Sequence, residues 1–206
     1  MVKFNPKIND EAALACEALR KGEVVAFPTE TVMGLGVVYN NREAYDRLNR
    51  VKERPEDKPY TLMVSNIEEI EKYAVVDEAT QRVINAFMPG SLTILVNVKK
   101  NSVPAYVTHN TNVIGIRIPT NIEARILLEM LATPLLVPSA NKSGSKPALN
   151  SDEVKEIFGS ELDFVMSGKA KGEVPSTIVD LTKETPKVVR PGPISEEDII
   201  RVWSNK

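Results

Sequence analysis

Val24-Val25-Ala26-Phe27-Pro28-Thr29-Glu30-Thr31-Val32-Met33-Gly34-Leu35-Gly36 is the stretch from which the rest of the chain is read. The apolar run Val24 to Phe27 is short and without polar alternation, so it predicts a buried strand, and Pro28, lacking an amide donor, ends it. The following segment, Pro28 to Gly36, is expected to be a loop: its glycines allow close backbone approach and its threonines offer hydroxyls. It is not a dinucleotide fingerprint, because Gly34-Leu35-Gly36 is followed by Val37-Val38-Tyr39 with no third glycine. Taken alone, an ordinary turn explains the segment equally well.

Upstream of this strand, apolar spacing predicts a helix from Asp10 to Arg20, closed by Gly22. Downstream, a second helix is expected over Arg42 to Lys52, with others near Glu78 to Phe87, Ile122 to Leu131, Ser151 to Phe158 and Ser195 to Trp203. Strands are expected at Tyr60 to Val64, Leu92 to Val98, Val113 to Ile118, Leu135 to Val137, Asp163 to Met166 and Thr177 to Leu181, with another around Val188. This alternation predicts an α/β fold: a twisted, open, mixed sheet with helices on both faces. No linker divides the chain, so residues 1–206 are expected to form one domain.

Composition narrows the chemistry. The 206 residues hold 26 Lys and Arg against 28 Asp and Glu, a net charge of −2, so no global field favours nucleic acid. No apolar run approaches a membrane span and the start lacks a signal-peptide core, which predicts a cytoplasmic protein that meets no membrane. The single cysteine, Cys16, lies at helical spacing among Leu14, Ala15, Ala18 and Leu19, a core position. The single histidine, His109, sits in a polar stretch expected to be a loop, without the partners of a zinc site or a catalytic triad. Chemistry here must draw on Lys, Arg, Ser, Thr, Asn and backbone amides, a vocabulary suited to phosphate.

Polar segments following apolar strands mark where an open α/β sheet holds ligands. Besides Pro28 to Gly36, these are Lys52-Glu53-Arg54-Pro55-Glu56-Asp57-Lys58-Pro59 and Pro138-Ser139-Ala140-Asn141-Lys142-Ser143-Gly144-Ser145-Lys146-Pro147. In the first, prolines fix cations that could grip a polyphosphate; in the second, hydroxyls and permissive turns could form an anion nest. Each also has a bland reading, as a solvated face and as a connecting turn. Arg117, between isoleucines in Gly115-Ile116-Arg117-Ile118-Pro119, needs a buried acidic partner or a bound anion. Ser176-Thr177 and Arg190-Pro191-Gly192 complete the set, and no P-loop motif occurs.

PTETVMGLG, the KER of Lys52 to Arg54, GIRIP, PSANKSG, STIVDLT and RPG, in this order, resemble the YrdC/Sua5 family of threonylcarbamoyl-adenylate synthases from about Ala12 to Gly192. The chain is similar to the short, single-domain type, because it ends soon after RPG whereas Sua5 members carry a further C-terminal domain. The resemblance implies a YrdC-like fold around a central cationic cavity. It also implies synthesis of threonylcarbamoyl-AMP and pyrophosphate from L-threonine, bicarbonate and ATP, with Mg2+ accompanying the ATP and no metal site of the protein's own. Downstream threonylcarbamoyl-transferase proteins then modify an adenosine in tRNAs reading ANN codons; direct tRNA binding is expected to be weak.

Carried over motif by motif, the resemblance places Thr31, Arg117, Ser139 and Ser176 at threonine. It places Lys52, Arg54, Lys58, Asn141 and Arg190 at the nucleotide, with Lys52 and Arg54 catalytic. Met33 stands where the family usually has Tyr, Met63 where Sua5 members often place His, and Leu149 where they have a hydroxyl. The YciO branch lacks the SAN motif that this chain keeps at Ser139 to Asn141. The alternatives are a YciO-like or carbamoyl-adenylate-type paralogue and a non-catalytic RNA-binding module.

Overall fold

The computed structural model describes residues 6–54 and 59–205. Lys58 lies outside them. The strands are β1 (Val25–Phe27), β2 (Gly34–Val38), β3 (Thr61–Met63), β4 (Leu92–Asn97), β5 (Val113–Arg117), β6 (Leu135–Leu136), β7 (Phe164–Val165), β8 (Thr177–Asp180) and β9 (Lys187–Arg190). The helices are α1 (Pro6–Arg20), α2 (Arg42–Lys52), α3 (Ile67–Tyr73), α4 (Glu78–Phe87), α5 (Ala105–Thr108), α6 (Ile122–Leu131), α7 (Ser151–Phe158) and α8 (Glu196–Trp203).

Among the described residues the strands form one open sheet in the order β7-β1-β2-β6-β3-β5-β4-β8-β9. It is mixed: β3 runs parallel to β5 and β4 to β8, while β4 and β5 are antiparallel. The expected fold class is observed. Residues alternate across the sheet with the period of a strand. Val24, Ala26, Leu62, Val64 and Leu136 enter one apolar cluster, whereas Val25, Phe27, Met63, Leu135 and Val137 enter the other. The second cluster packs against α1 and α6 through Ala15, Leu19, Leu127 and Leu131. Burial on both faces explains why these strands read as unbroken apolar runs.

Two corrections concern the opening stretch and the short helices. Gly34 to Gly36, expected to be loop, belongs to β2, antiparallel to β1 with Phe27 opposite Gly34. The glycines serve packing across the ladder: a Cβ on Gly36 would lie 2.8 Å from the Phe27 ring, and one on Gly34 2.9 Å from Val137. Two short helices were not expected, α3 and α5. The first is signalled by Asn66, whose side chain caps it by accepting from the Glu69 amide. His109 closes α5 in the left-handed conformation, with Nε2 3.1 Å from the Tyr45 hydroxyl. Cys16 is buried as expected, its Sγ 3.7 Å from the Leu127 carbonyl. None of the described helices is long and apolar enough to cross a membrane.

Candidate active site

The sheet itself is the floor of a cavity. Thr61 and Met63 face it from β3, Thr93 from β4, and Val137 from just beyond β6. Because the sheet is mixed, the polar groups arrive from strand ends of both senses. Thr31 follows β1 and Arg117 ends β5, whereas Ser176 precedes β8. Thr31, Arg54, Arg117, Ser139, Ser176 and Arg190 all line this one cavity.

Arg117 answers the question its sequence posed. Its Nη2 donates to Glu30 Oε1 at 2.6 Å and to Thr31 Oγ1 at 2.8 Å. Glu30, which no motif singles out, is thus the buried acidic partner, and its other oxygen accepts from the amides of Thr120 and Asn121 at the start of α6. A carboxylate at that helix N-terminus is further favoured by the helix dipole. The buried Nε of Arg117 has no hydrogen-bond partner in the protein. The signal for Glu30 was its place in the sequence, the only carboxylate in the segment after β1.

The hydroxyls have defined polarity. Thr29 donates to the Val32 carbonyl at 2.6 Å, so in its 3.0 Å contact with Thr31 it is Thr31 that donates. Asn141 Nδ2 donates to the carbonyls of Lys142 and Ser145, which leaves Oδ1 as acceptor for the Ser139 hydroxyl at 2.6 Å. Thr31 and Ser139 therefore have their protons committed within the protein, and toward a ligand they accept. Ser176 lies 2.9 Å from the Thr93 hydroxyl, and Arg190 grips it through the carbonyl at 2.7 Å and Oγ at 3.1 Å. Gly192 allows that approach: a Cβ there would lie 2.3 Å from the Thr177 nitrogen.

The cations divide. Arg54 follows Glu53, whose left-handed backbone (φ 50°) caps α2. Its guanidinium lies over the Tyr60 ring, 4.7 Å from the centroid, and donates to the Pro59 carbonyl. Lys52 and Asn141 stand behind the lining: Lys52 Nζ donates to the carbonyls of Ser139 at 2.6 Å and Asn141 at 2.7 Å. Burial, with Arg54 and Lys142 nearby, lowers the Lys52 pKa to about 7. Lys142 turns outward to Glu53 and Glu161, and Lys146 is exposed outside the lining. Met33 and Met63 both line the cavity; Leu149 does not. Among the described residues no group of three His, Cys, Asp or Glu side chains has the arrangement of a metal site.

Fold and cavity together define an α/β protein whose open mixed sheet carries a cavity lined by three arginines and several hydroxyls. Comparison with known proteins narrows this. The Sua5_yciO_yrdC family model, described as "Telomere recombination", matches residues 17–192. The chain is similar to "Uncharacterized protein YciO" of Escherichia coli, 32% identical over 179 residues that cover 86% of this chain and 87% of that protein. It is also similar to the threonylcarbamoyl-AMP synthase of Pyrococcus abyssi, 34% identical over 191 residues, 92% of this chain and 56% of that one. The crystal structure of P. abyssi Sua5 complexed with L-threonine matches with a TM-score of 0.90 at 32% identity, covering 94% of this chain and 57% of that one. The chain thus spans little more than half of the synthase. It belongs to the Sua5/YciO/YrdC family.

Proposed function

We propose that the protein is a threonylcarbamoyl-AMP synthase. The observation that carries this reading is a single cavity in which Arg117, held by Glu30, stands beside Thr31, Ser139 and Ser176 and within one lining with Arg54 and Arg190. The planar guanidinium of Arg117 suits a carboxylate, and the acceptor hydroxyls suit N–H and O–H groups, the two ends of threonine. Arg54 and Arg190 suit the phosphates of ATP, with Asn141 and Lys52 ordering the loop beside them. Magnesium enters as part of the ATP substrate.

The chemistry needs no nucleophile from the protein. Condensation of the threonine amine with bicarbonate releases water and leaves a carbamate. A carbamate oxygen then attacks the α-phosphorus, the bond to the β-phosphate oxygen breaks, and pyrophosphate departs with threonylcarbamoyl-AMP as the other product. Catalysis is positioning plus stabilisation of the developing charge by fixed cations. The adenylate would supply transferase proteins that modify tRNA.

Incubation of the purified protein with ATP, magnesium, bicarbonate and L-threonine, followed by mass analysis, tests this directly. The expected product is threonylcarbamoyl-AMP, and its absence under conditions where ATP binds would remove the synthase reading. A YciO-like role without threonine turnover is the second reading. It is favoured by one observation: Met33 and Met63 make that part of the lining apolar.

A further inference from the structure

Lys52 is the last residue of α2 and is 1% exposed, against 7% for Arg117. Its ammonium and its backbone act on the same neighbour. Nζ reaches the carbonyls of Ser139 and Asn141, while its own carbonyl accepts from the Ser143 amide at 3.0 Å. The segment from Ser139 to Ser143 is therefore clamped to the end of α2 from two sides. Within the clamp, the Ser139 hydroxyl donates to Asn141 Oδ1, so toward a ligand in the cavity that Ser139 lines its oxygen is left as an acceptor.

We propose that Lys52 is a positioning residue, which fixes the 139–143 turn so that Ser139 accepts from the amino-acid ligand, and that it does not itself bind phosphate. This deepens the synthase reading and rests on it. Lys52 stands outside the cavity lining, buried, with its Nζ held by two carbonyls. Titration does not undo the arrangement either, since a neutral amine still carries two protons for two carbonyls. A phosphate ligand, in contrast, would need the charge.

The test is a double-mutant cycle in the full chain: Lys52→Met and Ser139→Ala, singly and together. Titrations with L-threonine and with ATP–magnesium are read beside amide exchange over residues 139–145. Lys52→Met is expected to weaken threonine binding roughly tenfold or more, the scale of a lost charge-assisted hydrogen bond, and to speed exchange at the Ser143 amide. In the Ser139→Ala background the same substitution should have little further effect on threonine. Loss of ATP–magnesium affinity that is equal in both backgrounds, with exchange over 139–145 unchanged, would overturn the proposal. Should Lys52→Met fail to fold, Lys52→Gln, which keeps an amide donor, carries the same comparison. Should the wild-type chain bind neither ligand, the synthase reading fails, and the exchange arm alone decides the clamp.

Discussion

Glu30 and Arg117 meet at 2.6 Å with both side chains 8% exposed, and the pair joins the segment after β1 to the end of β5 and the start of α6. A buried ion pair contributes little net stability beyond an apolar pair of the same shape, because desolvation offsets its attraction. Breaking it from one side is another matter. Arg117→Met leaves the Glu30 carboxylate buried without its counter-charge and should destabilise the fold by about 3–5 kcal/mol in urea unfolding. Glu30→Gln keeps one acceptor for the helix amides but turns its NH2 toward the Arg117 guanidinium and leaves that charge buried without its partner, so it should cost a similar amount, about 3–5 kcal/mol. The double variant should be more stable than the sum of the two predicts. Strict additivity would mean that the pair is not coupled.

The same geometry sets the threonine prediction. Arg117→Lys keeps the charge but cannot hold Glu30 and Thr31 while presenting a planar fork to a carboxylate. Threonine affinity, measured calorimetrically, should fall by about tenfold or more while ATP–magnesium affinity changes little. Equal losses for both ligands would remove Arg117 from the threonine end.

Lys52 gives a pH dependence of stability whose sign is fixed. Its folded pKa is lowered to about 7 from an ordinary 10.5. Below about pH 7 both states hold the ammonium and the cost of burying it is constant. Between about pH 7 and 10 the unfolded chain binds a proton that the folded chain gives up, so stability rises with pH. The rise attributable to Lys52 should be of order 2–5 kcal/mol, and Lys52→Met should flatten it. Tyr60 works the other way only at the upper end, because burial pushes its phenol up and its contribution is lost above about pH 10. Unfolding curves of the two proteins at pH 6.5 and 9 make the comparison; parallel behaviour would sink it.

What the sequence made legible follows from which residues act locally. Buried strands such as Val24 to Phe27 and capped helices such as α2 lie where periodicity predicts, because their signals sit within a few residues of each other. β2 was hidden because its glycines answer to the Phe27 ring on the neighbouring strand, not to a turn. The same fact predicts that Gly36→Ala destabilises by about 1–3 kcal/mol through overpacking, and that Phe27→Leu relieves part of it. In the site, the motifs named residues that do line the cavity, Thr31, Arg54, Arg117, Ser139, Ser176 and Arg190. They could not separate a cation that lines the cavity from one that stands outside it: Lys52 and Lys142 carry the same charge as Arg54, and only the partners of the two lysines, distant in sequence, set them apart from the lining.

Lys142 decides the last prediction, which concerns RNA. The loops of the site carry Lys52, Arg54, Lys58, Lys142, Lys146 and Arg190, enough charge in sequence to hold a nucleic-acid backbone if all of it faced outward. Among the described residues it does not: Lys52 is buried against carbonyls, Lys142 is paired with Glu53 and Glu161, and Arg54 and Arg190 line the cavity. Among the described members of this set, Lys146 is then the one that is exposed outside the cavity lining. A surface that neutralises many phosphates loses about three or more decades of affinity between low and moderate salt. Here tRNA binding should be weak throughout, with a shallow salt slope reflecting one or two phosphate contacts, while ATP–magnesium binding is disrupted by Arg54→Ala. A tRNA titration at two salt concentrations beside a nucleotide titration reads both. Tight tRNA binding at physiological salt with no detectable ATP binding would favour an RNA-binding module over the synthase. A steep slope abolished by Glu53→Ala or Glu161→Ala is not expected either, since each of those substitutions removes a negative charge beside Lys142, while its other partner stays, and should strengthen RNA binding.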